Sequence, residues 1–210
     1  MKKTFITAIC FLLVGAVSAQ KTSFGLMAGG TNSNFKFKSE GESITGDSKM
    51  GMAAGLVLNS SLSEKCSLLS GLQFVQKGTK MEVDDGGSTM SVDLNTNWLE
   101  VPVNLVYNTG KFYIGAGPSL SFGIGGKWKV KFEGEEESEN VNFGNSDDDD
   151  MKGFDFGANV VAGFQFTNGI FLAANFNQGF SNLAPGDSGD GSIKTHYFGL
   201  HLGYMFKGKK

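Results

Sequence analysis

The chain has no arginine, two histidines and two cysteines among its 210 residues. Each shortage excludes something. Bidentate recognition of phosphate usually draws on arginine, so its absence argues against nucleic acid as a partner. Cys10 lies inside an N-terminal apolar run with no small-residue cleavage box ahead of it, which argues against a lipoprotein. Cys66 is then the one thiol of the mature chain, and one thiol makes no internal disulfide. His196 and His201 lie five apart, so in a strand they face opposite sides and cannot share a metal. No His-x-Ser on a strand supplies a nucleophile with its base, and no Ser/His/acid set is legible. The expectation is therefore no catalytic residue, no cofactor and no metal centre. Long apolar runs are missing too. Beyond the N-terminus nothing approaches 18 apolar residues, so no transmembrane helix follows.

The N-terminus reads as a targeting segment. Lys2 and Lys3 form a basic start, and Phe5 to Val17 is an apolar run too short to span a bilayer. Val17-Ser18-Ala19 supplies small residues before a cut that leaves Gln20 first. Residues 1–19 are expected to be a signal peptide and 20–210 one barrel domain; an uncleaved anchor helix is the other reading. Without Lys2 and Lys3, 16 lysines face 21 acids, a formal charge of −5.

What is present is alternation. Glycine, at 31 residues, and phenylalanine, at 19, are abundant, which suits strands with small inward and aromatic outward side chains. Eight segments carry apolar residues at every second position, roughly 22–30, 49–58, 66–77, 97–107, 111–124, 153–166, 170–180 and 196–206. Each is near the roughly 9–11 residues with which a tilted strand crosses hydrocarbon. In the fifth, Phe112, Ile114, Ala116, Pro118, Leu120 and Phe122 face one way, and Tyr113, Gly115, Gly117, Ser119 and Ser121 the other. A helix cannot use a period of two. The connections alternate. Asn59–Lys65, Asn108–Gly110 and Thr167–Gly169 are short; 31–48, 78–96, 125–152 and 181–195 are long and read as loops. Those long stretches hold 18 of the 21 acids. Only Glu100 and Asp155 fall within the eight segments, both in the phase of the polar face. A charge aimed at the middle of a bilayer costs about 2–4 kcal/mol for a basic group and less for an acid, so the charge placement supports a membrane barrel. Trp98, Tyr107, Phe112, Phe166, Phe180, Tyr204 and Phe206 fall near segment ends, where interfacial girdles belong.

The predicted fold is all-β, an eight-stranded antiparallel up-and-down transmembrane β-barrel. Both termini are expected in the periplasm and the long loops outside a Gram-negative outer membrane. A barrel of this size is filled by side chains, so a diffusion porin is not expected.

Asn97-Trp98-Leu99-Glu100-Val101-Pro102-Val103-Asn104-Leu105-Val106-Tyr107 resembles the "YLEIPLLLKY" strand of the PorT-like outer-membrane β-barrel family. Lys111 to Pro118 is similar to its "YVGAGPYLG" strand, and Phe24 to Asn32 to its first strand. Trp98 stands where the family usually has tyrosine, and Lys207 to Lys210 extend past the final aromatic. The resemblance implies fold and location. The namesake's association with protein export is not carried over.

Glu100 is the sharpest single residue, because a carboxylate inside a narrow barrel must be paired or hydrogen-bonded. It is expected in an interior polar cluster with Asn104, Tyr113, Asp155 and His201, and Gln73 and Lys77 are further candidate partners. The functional alternative is a proton or ion relay. His196 is expected at the outer rim. The acidic stretch Glu133 to Asp150 reads as a solvated, mobile loop, with cation collection as the alternative. Asp187-Ser188-Gly189-Asp190-Gly191 reads as a turn first, with a cation site as a distant second. Expected partners are outer-membrane lipid, the barrel assembly machinery during biogenesis, and a surface or export-machinery partner. The role is structural or interactive. A lipid-modifying outer-membrane enzyme and a soluble lipocalin-like carrier are the alternatives, and the carrier requires Phe156, Phe198 and Leu200 to face inward.

Overall fold

Ten strands account for most of the described chain. The computed structural model describes residues 22–39, 42–85, 88–132, 135–186 and 191–206. The expected signal peptide, residues 187–190 of the expected turn and the Lys207–Lys210 tail lie outside them. The strands are β1 (Thr22–Ser39), β2 (Glu42–Thr45), β3 (Asp47–Ser61), β4 (Cys66–Asp85), β5 (Ser88–Thr109), β6 (Phe112–Phe132), β7 (Glu135–Asn140), β8 (Phe154–Gln165), β9 (Ile170–Gly179) and β10 (Ser192–Met205). Eight of them pair antiparallel in the order β1-β3-β4-β5-β6-β8-β9-β10, and β10 closes on β1. Closure leaves this ring no free edge. β2 adds to the far half of β1, and β7 to the far half of β6.

The alternation determines which way each side chain points. Phe112, Ile114 and Phe122 look outward, 62%, 58% and 44% exposed, while Ser119 and Ser121 are buried in the bore. Phe156, Phe198 and Leu200 also point out, at 44–58% exposure, which water would not tolerate over a whole barrel wall. The lipocalin-like carrier is thereby overturned. The outward aromatics meet in two bands. Phe24–Phe206, Phe112–Phe164 and Tyr204–Phe206 pack at centroid distances of 4.9, 4.7 and 5.2 Å at one end. Phe122–Phe154 and Phe156–Phe180 pack at 5.4 and 6.3 Å at the other. Phe112 and Phe122 are ten residues apart on one strand. At about 3.3 Å per residue and a tilt of about 40°, that is about 25 Å, the height of a membrane barrel's apolar belt.

The short turns sit at the first end. Gly110 and Gly169 have φ of 72° and 96°, the left-handed conformation that two tight hairpins require.

The other end corrects several expectations. The stretches 31–48, 78–96 and 125–152 are largely strand, not loop. β4 and β5 stay paired from Cys66↔Tyr107 to Asp85↔Ser88. Strands reach 22 residues, because a template of bilayer length stops at the membrane edge whereas backbone groups beyond it still need hydrogen-bond partners. The extensions therefore carry acids besides Glu100 and Asp155, among them Asp47, Glu82 and Asp93. The acidic stretch is not simply a solvated loop. Glu135, Glu136, Glu137 and Glu139 lie in β7, and Val141 and Met151 fold inward, 6% and 0% exposed. Trp98 belongs to no girdle. It takes the inward phase and is fully buried.

Candidate functional site: a sealed polar core

The bore is filled in three layers. Nearest the short turns, Val57, Val106, Val161, Phe171, Ala173 and Met205 form an apolar layer. Inward glycines make room for its large rings. A Cβ on Gly163 would lie 2.2 Å from the Tyr113 ring, and one on Gly203 2.2 Å from the Phe171 ring. Nearest the long hairpins, Phe35, Leu94, Trp98, Val141, Met151 and Leu183 form a second apolar cluster. Phe143 packs edge-on against Trp98 at 5.3 Å. Val141, Met151 and Leu183 come from connections between ring strands, so this cluster is a plug across the mouth.

Between the two lies the polar layer. Glu100, at the middle of β5, is fully buried. Its Oε1 accepts from Tyr197 Oη at 2.6 Å and from Gln73 Nε2 at 2.8 Å. Its Oε2 accepts from Ser121 Oγ at 2.9 Å and pairs with Lys77 Nζ at 3.3 Å. The Lys77 ammonium also lies 5.2 Å from the ring centroids of both Trp98 and Tyr197. A buried carboxylate is tolerable only when saturated in this way.

A directed amide chain extends from that centre. Asn175 Nδ2 donates to Tyr197 Oη at 3.3 Å and to Asn159 Oδ1 at 2.8 Å. Asn159 Nδ2 donates to Asn104 Oδ1 at 3.1 Å. With its amide nitrogen so committed, Asn175 Oδ1 must accept, so His201 Nε2 carries the hydrogen across their 2.8 Å contact. His201 Nδ1 is left as a buried acceptor without a partner among the described residues. Asp155 accepts from Thr195 Oγ1 at 3.1 Å and from the Ser181 amide at 3.3 Å. It sits opposite Ser121 in the β6–β8 ladder, next to Glu100's shell.

Of the residues singled out in the sequence, Glu100, Asn104 and His201 join one network through Tyr197 and Asn175, and Asp155 borders it. Tyr113 stands apart, against the lower apolar layer. His196 faces outward and touches Phe176 at 6.3 Å. Sequence reasoning missed Tyr197, the hub, and Asn175. Their signal was present, since both take the inward phase of their strands, but nothing along the chain shows that three strands converge on one carboxylate.

The chemical capacity of this layer is small. Two interior cavities have volumes of about 20 and 40 Å³, room for a water or so each. Among the described residues, no group of three or more His, Cys, Asp or Glu side chains could hold a metal. Tyr197 is committed to Glu100 and His201 Nε2 to Asn175, and among the described residues no hydroxyl hydrogen-bonds to the imidazole.

The architecture has a counterpart among known proteins. The sequence pattern of the outer membrane protein beta-barrel domain family matches residues 18–184. The chain belongs to this family. It is an outer-membrane protein, and its outward face meets membrane lipid. No curated protein matches its sequence. Solved structures similar to it include Ail, the attachment invasion locus protein of Yersinia pestis, at 17% identity and TM-score 0.43, covering 89% of this chain and 99% of that one. Neisserial surface protein A is similar at 10% identity and TM-score 0.45, covering 89% and 100%. The outer membrane protease OmpT from Escherichia coli is similar at 9% identity and TM-score 0.36, covering 88% and 96%.

Proposed function

We propose that this protein is a plugged, non-conducting and non-enzymatic barrel that holds a β-ridge over the cell surface for contact with a partner. The observation that carries the reading is the filling of the bore: an apolar layer at each end and a saturated polar layer between. Such an interior serves neither passage nor an ion relay through Glu100. What remains available is outside. The far halves of β4, β5, β6 and β7 form a continuous sheet beyond the upper aromatic band. One face carries Met81, Val92, Val130 and Phe132. On its other side, a groove of about 410 Å³ is lined by Gln76, Asn95, Asn97, Lys127, Lys129 and Asn140 among others. β7 offers a free edge with four glutamates.

In this reading residues 1–19 are removed on export, the barrel assembly machinery inserts residues 20–210, both termini stay in the periplasm, and the ridge faces out. The likeness of residues 97–118 to PorT-like barrels supports grouping the chain with them, and an export-machinery component is one class of partner that fits. Two measurements test the proposal. A photo-crosslinking residue at Ser138 in intact cells is expected to capture a discrete partner, and the refolded barrel in planar bilayers to show no conductance steps. Steady conductance, or protection of residue 138 from surface labelling, would sink it.

A further inference from the structure

The lysines on the barrel's outer wall fall into two groups. Those on the β3–β7 side are mostly matched: Lys49 with Asp93 at 3.1 Å, Lys80 with Glu82, and Lys129 and Lys131 with Glu136 at 2.7 and 3.0 Å, while Lys127 stands singly between Asn95 and Asn140. Those on the β10–β1–β2 side are not. Lys36 sits directly opposite Lys194 in the β1–β10 ladder and opposite Thr45 in the β1–β2 ladder. One row further out, Lys38 sits between Ser192 and Ser43. The three lysines are exposed, and none has an ion-pair partner among the described residues. Glu42, the nearest acid in the described register, sits opposite Ser39, in the alternate phase.

Two like charges directly across a ladder destabilise the sheet. Here a third follows two residues on, with hydroxyls completing the grid. The β1–β10 register runs without a shift from Gly25↔Met205 to Lys38↔Ser192. The lysines therefore share the outward face of Leu26, Ala28, Leu200 and Leu202, which meets the hydrocarbon. Lys194 lies four residues beyond the outward Phe198. That is about 10 Å above the ring, at the level where lipid headgroups begin. A lipid-facing trio of ammoniums at that height has one abundant complement.

We propose that Lys36, Lys38 and Lys194 form a site for the phosphate groups of the outer-leaflet glycolipid, with Thr45, Ser43 and Ser192 as neutral donors. The assignment rests on the outward orientation of the hairpins proposed above. Bound phosphate would cancel the Lys36–Lys194 repulsion, tying the lipid to the β1–β10 seam that closes the barrel.

The test uses the detergent-folded protein in EDTA, titrated with bisphosphorylated lipid A, enzymatically dephosphorylated lipid A, phosphatidylglycerol and inorganic phosphate. A basic residue near a lipid surface is worth about fivefold in binding, so K36Q/K38Q/K194Q is expected to bind lipid A about a hundredfold more weakly. Dephosphorylation should weaken wild-type binding similarly, and K65Q/K111Q, at the short turns of the opposite end, should leave it unchanged. Heat-modifiable mobility on gels confirms that each variant is folded. A second readout follows from the repulsion. Without lipid the triple variant should unfold no earlier than wild type; with lipid A only wild type should gain. Equal binding by the triple variant or by dephosphorylated lipid A overturns the proposal. So does inorganic phosphate binding as tightly as lipid A, which marks a free-anion site. A preference for phosphatidylglycerol overturns the orientation and leaves a phosphate site facing the other leaflet.

Discussion

Replacing Lys77 with methionine removes the one cation from the Glu100 centre while keeping a side chain of similar length. Both side chains of the pair are fully buried, at 3.3 Å. At an effective dielectric of about 20, unit charges at that distance attract by about 5 kcal/mol. The variant keeps Tyr197, Gln73 and Ser121 as donors to the carboxylate, so Glu100 is not stripped bare. It is left a buried charge without a counter-charge, and breaking such pairs typically costs about 3–5 kcal/mol. K77M is therefore expected to lose about that much in urea unfolding from lipid vesicles, followed by tryptophan fluorescence and gel mobility. In the K77M/E100L double variant no charge remains. The residual penalty is that of donors left without an acceptor, about 1–3 kcal/mol. The double variant should thus be more stable than K77M alone. A K77M loss below about 1 kcal/mol, or a double variant as unstable as the summed single variants, would refute the view that the ion pair governs this layer.

Three further outcomes can be checked. Val160 points outward midway along β8, so Val160→Arg should destabilise the folded barrel by about 2–4 kcal/mol in vesicle refolding, whereas a charge at exposed Phe132, beyond the belt, should be tolerated. Gly163→Ala places a carbon 2.2 Å from the Tyr113 ring and should cost about 1–3 kcal/mol, much of it recovered by adding Tyr113→Val; an unchanged unfolding midpoint in the single variant would contradict the packing. Hydrogen bonds from Lys129 and Lys131 hold the exposed Glu136 carboxyl below its ordinary value. A depressed acid stabilises above its unfolded pKa and loses that contribution as pH falls through the folded one, so amide-exchange protection of β7 should hold at neutral pH and decline below about pH 4. Protection unchanged down to pH 2 would deny those bonds a role.

The alternation along β6, β8 and β10 determined by itself that this is an outer-membrane barrel, which strands cross, and which side chains face lipid. The reason is local: a strand has a period of two, and hydrocarbon penalises polar groups on one of its two faces. The same rule located Glu100 and His201 in the bore before any partner was visible. It underestimated the strands, because above the membrane the outward face meets water instead of hydrocarbon, so Lys36 and Lys38 stand outside and Phe35 inside, and the apolar-outward pattern of a crossing strand is lost. It misjudged Trp98, whose nearness to a strand end suggested a girdle although its even-numbered phase is that of Glu100. The tertiary structure alone decided what fills the bore. Tyr197, Gln73, Ser121 and Lys77 come from three strands, as many as 124 residues apart in the chain, and meet one carboxylate only because the ring closes. The plug of Val141, Met151 and Leu183, and the trio of Lys36, Lys38 and Lys194, unmatched among the described residues, likewise depend on register and closure. Those are properties of paired strands, and no single strand's periodicity carries them.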